Sequence, residues 1–286
     1  MRWVPDHTGR LPQRPHFEAD EIDREGEALL AARRRVQRGG ACFPLSTDDL
    51  TVLLEQLTSD LDLYADLRAE GPSIEGVTEF LAKGAPRVRI ARELSEAPER
   101  AHRLRSTLAH ELGHVHLHAC LWALAPPAEK PMLEAALARQ GTIVSPRQPG
   151  RKLQGAGPAY QGSASGGSAG FRCRRETIVR AGRADWLEWQ AGYFSGALLM
   201  PATTLARLAE GVLAGYATRP PVEEGTPAAA ALIRRVQAAF DVSREAARVR
   251  LHQRGYLALP APPRGATGRH RRAAPRPLGV RRVLHA

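Results

Sequence analysis

One short run, RSTLAHELGHVHLH at 105–118, constrains this chain more than any other stretch. It holds His110, Glu111 and His114 in the pattern H-E-x-x-H. Histidines four apart share one face of an α-helix, so both can reach a single metal ion. Two imidazoles and one carboxylate suit Zn²⁺ and leave a position for water. Bound zinc takes the pKa of water from about 15.7 to near 7, roughly 12 kcal/mol towards hydroxide. Glu111 follows the first histidine, where it can take that water's proton and pass it to a leaving amine. The surrounding spacing agrees. Leu104, Leu108, Leu112 and Val115 form one apolar stripe with the two histidines on its edge, so the helix can be buried and still line a cleft. The plain alternative is a pair of core or surface histidines on a His-rich helix. His118 shares the face, but eight residues put it about 12 Å of rise beyond His110. It cannot join the same ion, and capping or core packing is its expected role.

Two histidines do not make a tight site, so a third ligand is expected from a second helix downstream. The segment 185–201, DWLEWQAGYFSGALLMP, is the best source. Its apolar content says that it is buried, and Glu188 is its only acid after Asp185. A lone carboxylate on a buried helix needs a partner, which a metal ion would supply. Asp185 and Glu188 also stand three apart, as a capping pair at a helix start does. Chemistry alone leaves both readings open. Tyr193 reads as core rather than as an oxyanion donor.

The chain has 286 residues and a formal charge of +11. That raises nucleic acid as a partner. The charge is unevenly placed, however. Six Lys/Arg fall in 145–175 and seven Arg in 261–286, both without an acid, so the remainder carries about −2. The first segment has a Gly/Ser/Ala linker composition and reads as a flexible insertion. The second reads as a disordered tail. Three widely spaced cysteines, Cys42, Cys120 and Cys173, exclude a disulfide framework and fit a reducing cytoplasm. Cys173 lies between arginines, which favour a thiolate, yet its plain reading is incidental. No apolar run is long enough for a transmembrane helix, and the first residues lack a signal-peptide core.

Periodicity and turn residues predict helices over 19–35, from Ser46 onward, over 98–122, near 132–139, near 176 and over 185–200. They predict strands over 60–67, 75–81 and 87–91. The organisation expected is an N-terminal arm (1–18), a core (19–201), a helical unit (202–260) and the tail. Within 228–257, two helices around Asp241-Val242-Ser243 read as helix–turn–helix, and Arg244, Arg248 and Arg250 are its candidate phosphate contacts.

The tandem of RSTLAHELGHVHLH and EWQAGYFSGALLMP, in that order, resembles the ImmA/IrrE family of bacterial zinc metallopeptidases. That family has a TLAHELGH-type helix followed by a helix of the form E-x-x-A-(N/D)-x-F-A-x-x-L-L-M-P. The likeness is close over 86–118 and 185–201 and looser over 20–257. It implies an α+β fold with a zincin-like core and a C-terminal helix–turn–helix-like unit. It implies that His110, His114 and Glu188 ligate Zn²⁺, with Glu111 as catalytic base. The implied reaction is cleavage of a partner protein, typically a helix–turn–helix repressor, in a stress-response or mobile-element circuit. Two departures stand out. The family's Asn/Asp four residues after the third ligand is Gly192 here, a position that commonly steadies a ligating histidine. A long basic insertion also separates the two motifs. In such a picture 87–91 is either an exposed edge strand that pairs with substrate or an ordinary inner strand. The reading from another class is a non-catalytic, metal-stabilised regulator that binds DNA or a partner protein.

Overall fold

Local signals start most elements where the sequence places them. The computed structural model describes residues 1–8, 11–36, 43–71, 73–81, 84–124, 168–174 and 185–258. The helices expected near 132–139 and 176, most of the basic insertion and the tail lie outside these residues. After a β1 (Arg2–Pro5)–β2 (Gln13–His16) hairpin comes α1 (Ala19–Val36), which turns Ile22 and Leu30 inward. Ser46 starts α2 (Thr47–Leu57) through a reciprocal capping box. Its hydroxyl accepts from the Asp49 N–H at 3.0 Å, and Asp49 accepts from the Ser46 N–H at 2.9 Å. Strands β3 (Asp60–Ala65), β4 (Ile74–Leu81) and β5 (Arg87–Ala91) follow, then a short α3 (Arg92–Ser95) and the long α4 (Ala101–Leu124).

The fold is α+β, with eight helices and small mixed sheets among the described residues. The main sheet runs β3-β5-β4-β6, where β6 is Ser168–Arg174. Strand β5 is parallel to β3 and antiparallel to β4, so both its edges are taken. It is the inner strand of the two alternatives, not an exposed edge beside the site. The far edge of β4 is covered antiparallel by β6, with Gly76 opposite Cys173 and Thr78 opposite Phe171. The end of the basic insertion is therefore part of the sheet.

Helix α4 lies against this sheet and is enclosed more fully than its stripe implied. Every residue from Thr107 to Val115 is buried, polar ones included. Helix α5 (Trp186–Leu199) closes its other side, and Met200-Pro201 ends α5. Helices α6 (Ala202–Gly215), α7 (Pro227–Phe240) and α8 (Arg244–Gln253) follow, with a two-strand ribbon of β7 (Val222–Glu223) and β8 (Leu257–Ala258). Thr226 and Ser243 cap α7 and α8 by accepting backbone N–H groups. One buried apolar cluster runs from Phe17 to Leu257, so the helical unit shares its core with the elements before it. Among the described residues, no single helix is long and apolar enough to cross a membrane.

A buried ion network ties α8 and the residue after it to α1. Arg250 of α8, 1% exposed, pairs with Asp23 of α1 and donates to the Met200 carbonyl at 3.2 Å. Its guanidinium lies 5.2 Å from the Tyr193 ring, and Tyr193 donates to Asp23 at 3.2 Å. Arg254 reaches Asp23 at 2.6 Å. Removing one member of a buried pair strands the other's charge. We expect Arg250→Met to lower unfolding free energy by about 3 kcal/mol in urea titrations. Adding Asp23→Leu should recover part of that loss. An Arg250→Met midpoint equal to the wild type would contradict the assignment.

Candidate metal centre

The site is built where α4, α5 and β4 meet. His110 and His114 lie one turn apart on α4, with Nε2 atoms 3.1 Å from each other. Glu188, in the first turn of α5, approaches both: Oε2 is 3.2 Å from His110 Nε2 and Oε1 is 3.3 Å from His114 Nε2. The histidines are 0% exposed and Glu188 2%. These three side chains can together hold one metal ion. The capping alternative for Glu188 is not realised, because Asp185, at the N-cap, makes no side-chain cap hydrogen bond.

Helix α5 reaches this position because of a glycine inside the motif. A Cβ added at Gly113 would lie 3.0 Å from both Cα and O of Ala191. A side chain there would push the helices apart and carry Glu188 away from the histidines. Glu188 also sits at a helix N-terminus, where the partial positive charge favours a carboxylate.

Electrostatics agree with a cation site. Burial raises the Glu188 carboxyl, but hydrogen bonds and charge from His110 and His114 outweigh it and hold the group below the usual carboxylate range. Burial lowers the His114 imidazole, yet Glu188 outweighs that and raises it. A buried carboxylate between two imidazoles is thus held ionised, ready to share its charge with a cation.

Glu111 is fully buried beside this group. Burial pushes its carboxyl up, against the pull of His114, His110 and a Thr78 hydrogen bond. Thr78 Oγ1 of β4 donates to Glu111 Oε2 at 2.5 Å. Glu111 Oε1 has no hydrogen-bond partner among the described residues. It abuts Gly76 so closely that a Cβ there would overlap it. A buried carboxylate oxygen without a donor is costly unless it has a chemical task.

His118 lies inside this assembly. Its Nδ1 is 3.0 Å from His114 Nδ1, and its Nε2 is 3.0 Å from Gln190 Oε1. Gln190 donates in turn to the Pro15 carbonyl of β2 at 3.0 Å. Burial, with the charge of His114 beside it, pushes His118 well below the usual histidine range. His118, Gln190, Thr78 and Gly76 were not read as site residues from the sequence. The one signal was spacing: His118 stands four residues beyond His114, as His114 does beyond His110.

The other singled-out residues fall elsewhere. Tyr193 is bound into the Asp23–Arg250 network. Of the three arginines proposed for phosphate contact, Arg250 is buried and Arg248 pairs with Glu224 and Glu245. Arg244 is exposed. Cys173 pairs through its backbone with Gly76. No protein-family model matches this chain, and no curated protein matches it.

Elemental analysis of the purified chain should find about one divalent metal ion per molecule, as a His₂-carboxylate site requires. His110→Ala and Glu188→Ala should each lose it while keeping a native circular dichroism spectrum. Full occupancy in Glu188→Ala would remove Glu188 from the ligand set.

Proposed function

We propose that this chain is a zinc-dependent metallo-endopeptidase of the ImmA/IrrE type that hydrolyses a peptide bond in a partner protein. The observation that carries the reading is Glu111. A metal site does not need it, yet the fold buries it beside the His110–His114–Glu188 group with one oxygen held by Thr78 and the other unbonded.

The ion proposed is Zn²⁺, and the three side chains fit it. Bonds of about 2.0–2.1 Å at tetrahedral angles set ligand atoms about 3.3–3.4 Å apart. The two Nε2 atoms stand 3.1 Å apart, with Glu188 Oε2 3.2 Å from His110 and Oε1 3.3 Å from His114, so each carboxylate oxygen lies beside one imidazole. Two nitrogens and a carboxylate also match the donor preference of zinc. When bound, the ion supplies Lewis acidity that polarises a carbonyl and activates water near neutral pH. The protein residues do the rest. Thr78 fixes the Glu111 carboxylate by its Oε2, leaving Oε1 to accept the proton of the attacking water. Glu111 then returns that proton to the departing amine.

The substrate class follows from the resemblance in the two motifs: a helix–turn–helix repressor, cleaved in a stress-response or mobile-element circuit in the cytoplasm. The four central groups are at most 2% exposed. The same burial favours a second reading, a metal-stabilised regulator that binds a partner or DNA without cleaving it. Glu111 separates the two.

Glu111→Gln should keep the metal ion and lose cleavage of a co-purified or co-expressed repressor by at least about a hundredfold. Fragments read by mass spectrometry decide it. Full biological activity in a metal-loaded Glu111→Gln protein would favour the non-catalytic regulator. Gly76→Ala should behave similarly, because the three atoms nearest its methyl group all belong to the Glu111 side chain. If Gly76→Ala cleaves at the wild-type rate, the placement of the base is wrong.

A further inference from the structure

We infer that His118 is the positioning residue of the metal centre: through Gln190 and the Pro15 carbonyl it fixes the hydrogen of His114 on Nδ1, so that Nε2 faces the ion. The inference rests on the metal reading above and adds what holds the second histidine in register.

The argument starts from a group that has no choice. The Pro15 carbonyl only accepts, so the Gln190 amide nitrogen must be the atom that faces it, at 3.0 Å. That orientation turns Gln190 Oε1, also an acceptor, towards His118 Nε2 at 3.0 Å. His118 Nε2 must then carry a hydrogen. With that hydrogen on Nε2, the neutral His118 ring carries none on Nδ1. His118 therefore presents a lone pair at Nδ1. Its neighbour at 3.0 Å, His114 Nδ1, must be the donor. Three side chains are set in sequence by one backbone oxygen. Nε2 is left as the nitrogen of His114 that meets the ion, and it is the atom that lies 3.1 Å from His110 Nε2.

The brace is asymmetric. His110 Nδ1 has no hydrogen-bond partner among the described residues. The orientation of the pair is thus carried on the His114 side. It also reaches across the chain: Pro15 belongs to the N-terminal hairpin, Gln190 to α5 and both histidines to α4. Trp186 of α5 anchors the same hairpin by donating to Asp6 at 3.1 Å, and its ring meets His118 edge-on at 5.8 Å. The N-terminal segment is consequently a structural part of the metal centre. Partners of this kind typically change metal affinity by about 10–100-fold when removed.

Two measurements on the full chain test this. In the Zn²⁺-loaded wild type, imidazole ¹⁵N spectra should place hydrogens on His114 Nδ1 and His118 Nε2. A coupling should appear across the Nδ1···Nδ1 bond. A hydrogen on His118 Nδ1 would overturn the inference without any substitution. Second, Zn²⁺ affinity is measured by chelator competition. His118→Leu should weaken binding by about 10–100-fold. His118→Gln, which restores an acceptor for His114 and a donor for Gln190, should recover most of it. Gln190→Leu should give a smaller loss of the same sign. Wild-type affinity in His118→Leu would refute the positioning role and leave the metal reading intact. A wild-type protein that binds no Zn²⁺ would refute both.

Discussion

The contact between Gly113 and Ala191 sets how close the two central helices lie, and the rest of the site depends on that distance. With hydrogen in place of a side chain, the backbone of α5 comes against α4, and Glu188 falls within 3.3 Å of both histidines. The approach has a cost: it takes His110, His114, Glu111 and Glu188 out of water together. Buried ionisable groups are tolerated when each has a partner of opposite charge or a hydrogen bond. The structure meets that demand with Thr78, Gln190, His118 and the mutual contacts of the three metal-site side chains. Polar groups that look scattered in the sequence are, in space, one connected set.

How much of this was legible follows from which signals are local. The capping box at Ser46, strands β3 to β5 and the ends of α4, α5, α7 and α8 rest on residues within one turn or one alternation, and they were readable. The N-terminal hairpin was not. RWVP and QRPH have no clean alternation, and what holds them is the α5 side chains of Trp186 and Gln190, more than 170 residues away. Strand β6 was hidden for another reason: it ends a Gly/Ser-rich basic stretch whose composition says linker, while β4 supplies the edge that makes it a strand. The enclosure of α4 was underestimated, because a stripe of leucines reports one buried face and says nothing of a second helix covering the other.

His118 shows the same limit inside the site. Its spacing from His110 argues against it as a ligand to the same ion. Its spacing from His114 is again four residues, which brings the two rings together. At Gly192 the resembling family carries Asn or Asp; in this chain His114 meets His118 of the same helix, and His118 in turn meets Gln190, two residues before that glycine.

The C-terminal unit reverses the reading its charge invites. Two capped helices joined by Asp241-Val242-Ser243 have the outline of a nucleic-acid-binding motif. Yet Arg250 points inward to Asp23 and Arg248 is held by Glu224 and Glu245. An arginine engaged in this way has to break an ion pair before it can meet a phosphate, so the gain from neutralising the phosphate is offset. Arg105 of α4 likewise turns to the end of α7, donating to the Phe240 carbonyl at 3.0 Å and pairing with Asp241 at 2.7 Å. The same unit thus grips both α1 and the helix that carries the two histidines. Arg250 and Arg254 tie it to Asp23 of α1, and Arg105 ties α4 to it, so these charges brace the frame of the candidate metal centre.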